Sequence, residues 1–208
     1  MTGGVVKRTS TKGRRFPVEV LTQREVLALM AACSARAPTG VRNRALIAVL
    51  WRAGVRISEG LALAVKDVDR EAGTLAVLHG KGDRRRVVGL DPTALAVLER
   101  WLEVRAKRVR RPRAAPVFCT LDGGSLQPQY VRALLPRLAE KAGIDKRVHA
   151  HGLRHAHASE LVMEGTPLSI VQAQLGHASL AATERYVRHL APADLVRALQ
   201  ERAWPAGG

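Results

Sequence analysis

The run from about Arg42 to Ala53, stopped by Gly54, is apolar on most of its faces, with Leu46, Ile47, Val49 and Leu50 following one another closely. A helix that is apolar nearly all round is stable only when other elements enclose it. This segment is therefore the central helix of a folded core. At 208 residues the chain is long enough for one domain, or at most one and a half, and for a proper core.

The flanking segments supply its neighbours. Thr22-Gln-Arg-Glu25 has capping-box spacing and opens a helix to about Ala35. Beyond Gly54 a short helix over Ser58–Ala64 leads to two β-rich runs, Thr74–Leu78 and Arg86–Leu90, around a glycine-containing turn. These read as a hairpin. Asp91-Pro92 caps a helix to about Lys107, with proline in its first turn. A basic connector, Arg108 to Arg113, precedes a helix over Ser125–Ala142 with a kink expected at Pro136. Helices over His151–Glu164, from Thr166 to Leu175, around Tyr186 and over Pro192–Arg202 complete the chain. The fold class is mainly α with a small antiparallel β-hairpin or sheet.

The formal charge of +16 favours polyanionic partners. Arginine dominates the basic residues, and its planar fork is the better bidentate partner for phosphate. Aromatic residues make up only 3% of the chain, too few for a single-strand stacking platform, so duplex backbone is the better fit. No apolar run approaches the ~18–20 residues that span a bilayer, and no apolar signal-peptide core opens the chain, so no membrane partner is expected. The expected location is the cytoplasm, with the nucleoid. Cys33 and Cys119 form no metal or redox spacing and read as ordinary reduced thiols. Residues 1–17 form a basic, flexible tail in which Lys7, Arg8, Arg14 and Arg15 are candidate phosphate contacts.

The chemistry-bearing residues lie in four places. His151 and Arg154 stand three apart, neighbours on one helix face. A Leu-Gly-His ends at His177, and Tyr186 follows nine residues later. An H-x-x-R occurs by chance roughly once in a chain of this composition, whereas a tyrosine at that distance from a histidine occurs roughly 0.07 times. Upstream, Gly54 to Glu59 reads G-V-R-I-S-E with Arg56 inside it, and Lys81 sits in a Gly-Lys-Gly turn between the two strands.

In this order the boxes resemble those of the tyrosine recombinase, or phage integrase, family, including its Xer-type members, over nearly the whole chain from about Leu21 to Tyr186. The resemblance implies the tyrosine recombinase catalytic-domain fold over residues 18–208. It also implies a DNA-breaking and rejoining activity that passes through a 3′-phosphotyrosyl link and a Holliday junction. Under it Tyr186 is the nucleophile, Arg56 and Arg154 clamp the phosphoryl oxygens, and His177 donates to the phosphate. His151 takes or holds the tyrosine proton, and Lys81 protonates the leaving 5′ oxygen. Glu59 orients Arg56 or a neighbour, His155 plays a supporting part, and Arg84, Arg85 and Arg86 contact DNA. Tyr130, the other tyrosine, reads as packing.

Because the link conserves phosphodiester energy, no cofactor and no metal is expected. The partner is double-stranded DNA, and the assembly expected is a free monomer that forms a tetramer on paired sites. Most family members place a helical core-binding domain before the catalytic one, and none is evident here.

Three other readings compete with this one. Clustered His149, His151, His155 and His157 suggest a metal site, but the glutamate of H-E-x-x-H is missing. Residues Pro167–Gly176 with the following run resemble a helix-turn-helix of a non-enzymatic DNA binder. A type IB topoisomerase would use the same phosphotyrosine chemistry.

Overall fold

A computed structural model describes residues 20–79, 84–110 and 114–176. Helix α1 (Gln23–Ala31) opens on the capping box: Thr22 Oγ1 accepts from the Glu25 N–H at 3.2 Å, and Glu25 Oε2 accepts from the Thr22 N–H at 2.7 Å. It ends at Ala31, short of Ala35, because Ser34 Oγ captures the N–H groups of Arg36 and Ala37 and turns the chain. Pro38 follows at a helix start, where its missing N–H costs nothing. Helix α2 (Pro38–Arg52) therefore begins four residues before Arg42.

All of Ala45 to Trp51 is buried, so α2 is the enclosed central helix, packed on α4 (Pro92–Arg108) and α6 (Ala150–Met163). Its first turns bury two polar side chains, Arg42 and Asn43. Both are satisfied: Arg42 donates to the Cys119 carbonyl at 2.9 Å and to Tyr130 Oη at 2.7 Å, and Asn43 Nδ2 donates to the same phenol at 2.9 Å. The Tyr130 hydroxyl donates back to Asn43 Oδ1 at 3.1 Å. Tyr130 is thus a structural hub.

After the short helix α3 (Ile57–Ala62), three antiparallel strands follow in the order β1 (Val68–Asp69), β2 (Thr74–His79) and β3 (Arg84–Gly89). The hairpin thus has a third, two-residue strand at its edge. Register pairs Thr74 with Gly89 and Val77 with Arg86. Leu75, Val77 and Val88 face the core, while Leu78 and Val87 are exposed on the other side.

Asp91 caps α4 by accepting from the Ala94 N–H at 3.0 Å, and Pro92 occupies the first turn. Helix α5 (Pro128–Lys141) starts later than Ser125, because Ser125 pairs as a β-bridge with Cys119 across the turn at Gly123. Pro136 lies inside α5. Helix α6 and helix α7 (Leu168–Leu175) form a hairpin with its own small apolar cluster of Ala158, Val171 and Leu175. The tail at residues 1–17 and the helices expected around Tyr186 and over Pro192–Arg202 fall outside the described residues. Among the described residues no helix is long and apolar enough to cross a membrane.

Candidate active site

Gly54 ends α2 with φ of +61°, a left-handed conformation that costs most residues but not glycine. The chain reverses there, and Arg56 becomes the residue capping α3. Glu59, three residues on, closes the first turn: its Oε2 accepts the Arg56 N–H at 2.8 Å and its Oε1 the Arg56 guanidinium at 2.9 Å. The Arg56 side chain remains 43% exposed, whereas that of Glu59 is 6% exposed.

Glu59 holds a second guanidinium. Arg86 Nη1 donates to Oε1 and Arg86 Nη2 to Oε2, both at 2.9 Å, a fork-to-fork pair. Burial alone would raise the Glu59 carboxyl, but the Arg86 hydrogen bonds, the Arg56 N–H, the Arg86 charge and the Arg56 guanidinium hydrogen bond pull it down to about 2. Glu59 is therefore an anion at any physiological pH.

Arg86, grouped by sequence with Arg84 and Arg85 as a DNA contact, is turned inward with a side chain only 14% exposed. The strand period explains the difference. Arg86 shares the core-side face with Val88 and stands opposite Val77, while Arg85 lies on the outer face at 61% exposure. The alternation Arg86, Val88, Leu90 was the signal in the sequence; the three consecutive arginines obscured it.

Arg154 is buried on α6, at 2% exposure. Its Nη1 donates to the Gly54 carbonyl and its Nη2 to the Leu175 carbonyl, each at 2.6 Å. Both acceptors belong to helix ends, where carbonyls lack intrahelical partners and carry partial negative charge. One guanidinium thus ties the end of α2, two residues before Arg56, to the end of α7, two residues before His177.

Gln174 adds to this tie, and sequence reasoning missed it. Its Oε1 accepts the Gly89 N–H at 3.0 Å, and its Nε2 donates to the Gly89 carbonyl at 2.9 Å and to Ala53 O at 3.3 Å. A lone glutamine in a helix carries no sequence signal for such a role. Gly176 then stops α7 with φ of +64°. A methyl carbon there would sit 2.7 Å from Arg86 Nε, so the Arg86 stem lies directly over the turn that leads to His177.

The histidines separate into distinct environments. His149 caps α6, its Nδ1 accepting the Gly152 N–H at 2.9 Å, and burial followed by the Arg147 charge lowers its pKa. His151 is exposed and meets the buried His155 edge-on, with ring centroids 4.2 Å apart. His157 lies against Gly54, and both of its ring nitrogens are buried without a hydrogen-bond partner among the described residues. Burial, then the Arg52 and Arg154 charges, depress its pKa to about 4, so it is a neutral packing group.

Arg56, Glu59, Arg86 and Arg154 therefore close a ring with the helix ends at Gly54 and Gly176. Lys81, His177 and Tyr186 lie outside the described residues, as do Lys7, Arg8, Arg14 and Arg15 and the side chain of Arg84. Such a ring presents one well-supported, half-exposed guanidinium beside a rigid turn, an arrangement suited to an anionic phosphoryl group.

Residues 19–192 match a family model described as the phage integrase family. Tyrosine recombinase XerC 2 of Ralstonia nicotianae is 37% identical over 194 residues, covering 93% of this chain and 55% of its own length. Tyrosine recombinase XerD of Mycobacterium leprae is 40% identical over 189 residues, covering 86% of this chain and 59% of its own. Among solved structures, XerH site-specific recombinase bound to palindromic difH substrate in a post-cleavage complex superposes with a TM-score of 0.72 at 30% identity. That match covers 88% of this chain and 52% of the XerH chain. The chain thus spans between half and two thirds of the length of these curated relatives.

Proposed function

This chain belongs to the phage integrase family of tyrosine recombinases, and from that membership we propose that it cuts and rejoins duplex DNA at specific sites through a 3′-phosphotyrosyl intermediate. The observation that carries the proposal is the double tie of Arg154 to Gly54 and Leu175. It joins the turn before Arg56 to the turn before His177, which supports the reading that the two segments serve one phosphate.

In the proposed reaction Tyr186 Oη attacks the scissile phosphorus and the bond to the 5′ oxygen breaks. The tyrosine proton passes to His151, and Lys81 supplies one to the departing 5′ oxygen, leaving a free hydroxyl. Arg56 and His177 stabilise the charge that builds on the non-bridging oxygens, and Arg154, whose Nη1 and Nη2 hold the Gly54 and Leu175 carbonyls, adds its positive charge from behind them. Ionising a phenol of pKa near 10 at pH 7 costs about 4 kcal/mol, and that cationic surround is what lowers it. Rejoining is the same step reversed, with the hydroxyl of a partner strand as nucleophile, so strand exchange passes through a Holliday junction.

The XerH precedent supports duplex DNA as the substrate, and the charge of +16 agrees. We extend the proposal to four protomers assembled on two paired sites from free monomers, with residues 18–208 as the catalytic unit and 1–17 along the backbone. Sedimentation showing a DNA-free tetramer would count against the assembly.

The test uses a pool of nicked duplexes with randomised sequence around the nick, incubated in chelator with wild type and Tyr186→Phe. Protein-linked DNA recovered from wild type alone, with the link at a 3′ end, is the expected result. A pool that binds but yields no covalent product with either protein would refute the mechanism and leave a non-enzymatic binder.

A further inference from the structure

We propose that Arg86 is a positioning residue of the strand-transfer site, holding Arg56 and the turn before His177, rather than a contact to DNA. The inference rests on the strand-transfer reading above. Three observations converge on it. Strand register points Arg86 to the core-side face opposite Val77. Its guanidinium meets Glu59 through two bonds at 2.9 Å, on the carboxylate that also holds Arg56. Its side chain covers Gly176, within 3 Å of where a Cβ would stand.

The charge balance explains why two arginines share one acid. Glu59 paired with Arg56 alone would give a neutral couple, with the Arg56 charge largely cancelled at the site where phosphate must bind. Arg86 restores the balance, since two guanidiniums and one carboxylate carry a net charge of one positive. Glu59 can then orient Arg56 without neutralising the site. Because the Arg86 stem also lies over Gly176, the same side chain sets the distance between the arginine box and the Leu-Gly-His turn. Misplacement of a reacting group by about an ångström is worth on the order of 10²-fold in rate.

The test compares Arg86→Gln and Arg86→Lys with wild type in two assays on the full chain. Non-covalent affinity for a 30-base-pair random duplex is measured across salt concentrations in a Tyr186→Phe background. The single-turnover rate of covalent-link formation is measured at saturating concentration of a nicked duplex recovered from the randomised pool.

The proposal expects Arg86→Gln to lose about 10²-fold in rate, with affinity within twofold and the salt slope unchanged. Arg86→Lys keeps the charge but not the fork, and recovers part of the rate. The proposal is overturned if affinity falls uniformly, the salt slope drops by about one and the saturated rate holds, which is the behaviour of a phosphate contact. If Arg86→Gln does not fold, Arg86→Lys decides by the rate: a loss at saturation with affinity within twofold supports the proposal, and a saturated rate equal to wild type overturns it. If wild type forms no link at all, the strand-transfer reading fails, and the salt slope still decides whether Arg86 touches phosphate.

Discussion

Replacing Gly176 with alanine places a methyl carbon 2.7 Å from Arg86 Nε and 2.9 Å from its Cδ and Cζ, on a backbone held at φ of +64°. Two costs follow. A residue with a Cβ in the left-handed region loses about 1–2 kcal/mol. Arg86 must also move, and it is not a loose side chain, because both of its terminal nitrogens are bonded to Glu59. Losing one charge-assisted bond adds about 1.5–3 kcal/mol, so Gly176→Ala should cost about 2.5–5 kcal/mol.

Gly143 provides the control. It has nearly the same conformation, φ of +66°, but nothing lies within 4 Å of where its Cβ would be, so Gly143→Ala should cost only the backbone term. Urea unfolding of the two variants, compared at equal m, should separate their midpoints by about 1 M, taking m at about 2–3 kcal/mol/M. In an Arg86→Ala background the excess should vanish. Equal midpoints for Gly176→Ala and Gly143→Ala would show that Arg86 is not pinned over the turn.

Further predictions follow from the same ring. Arg154→Ala leaves the Gly54 and Leu175 carbonyls buried without their donor, which should cost about 2–6 kcal/mol at about 1–3 for each carbonyl; chemical denaturation measures this, and covalent-link formation should be lost with it. Glu59, with its carboxyl lowered from 4.5 to about 2, stabilises the fold fully above pH 4.5 and ceases to do so as pH falls toward 2. Glu59→Gln should therefore remove about 3 kcal/mol at neutral pH, at 1.36 kcal/mol per pH unit, and flatten that part of the stability profile; a profile as steep as that of wild type would refute the assignment. His157 is lowered from 6.5 to about 4, so its neutral form is native and stability should fall as pH drops from 6.5 through 4. His157→Leu removes two ring nitrogens that have no hydrogen-bond partner among the described residues, should cost little at pH 7, and should make the protein less sensitive than wild type over that window in acid unfolding followed by circular dichroism.

What could be read in the sequence was local. The Thr22–Glu25 capping box, the Asp91-Pro92 start, the glycine stops at 54 and 176 and the apolar faces of α2 all act within a turn or two of chain, and each stands where expected. The placement of Arg56 at a bend, with Glu59 one turn on to hold it, was legible for the same reason. Helix ends failed where a short turn intervened: Ser34 turns the chain after α1, and Ser125 looks helical in isolation but bridges to Cys119 across the turn at Gly123. The edge strand Val68–Asp69 is too short to show periodicity and exists only because β2 offers it a ladder.

Among the described residues, the sequence by itself determined which segments are helical to within a few residues at their ends, which helix lies at the centre, and which residue types are available for phosphate chemistry. Its strand alternation carried a signal for which arginine turns inward, but three consecutive arginines obscured it, and only the folded register separates an outward Arg85 from an inward Arg86. That choice belongs to tertiary structure, because Arg85 and Arg86 are chemically alike and differ only in the side of a strand from which they project. The pairing of Arg154 with carbonyls from two separate helices, and of Gln174 with a strand edge, was likewise decided only on folding. Hydrogen bonds of that kind depend on where chain segments distant in sequence come to rest, and no pattern of neighbouring residues encodes them.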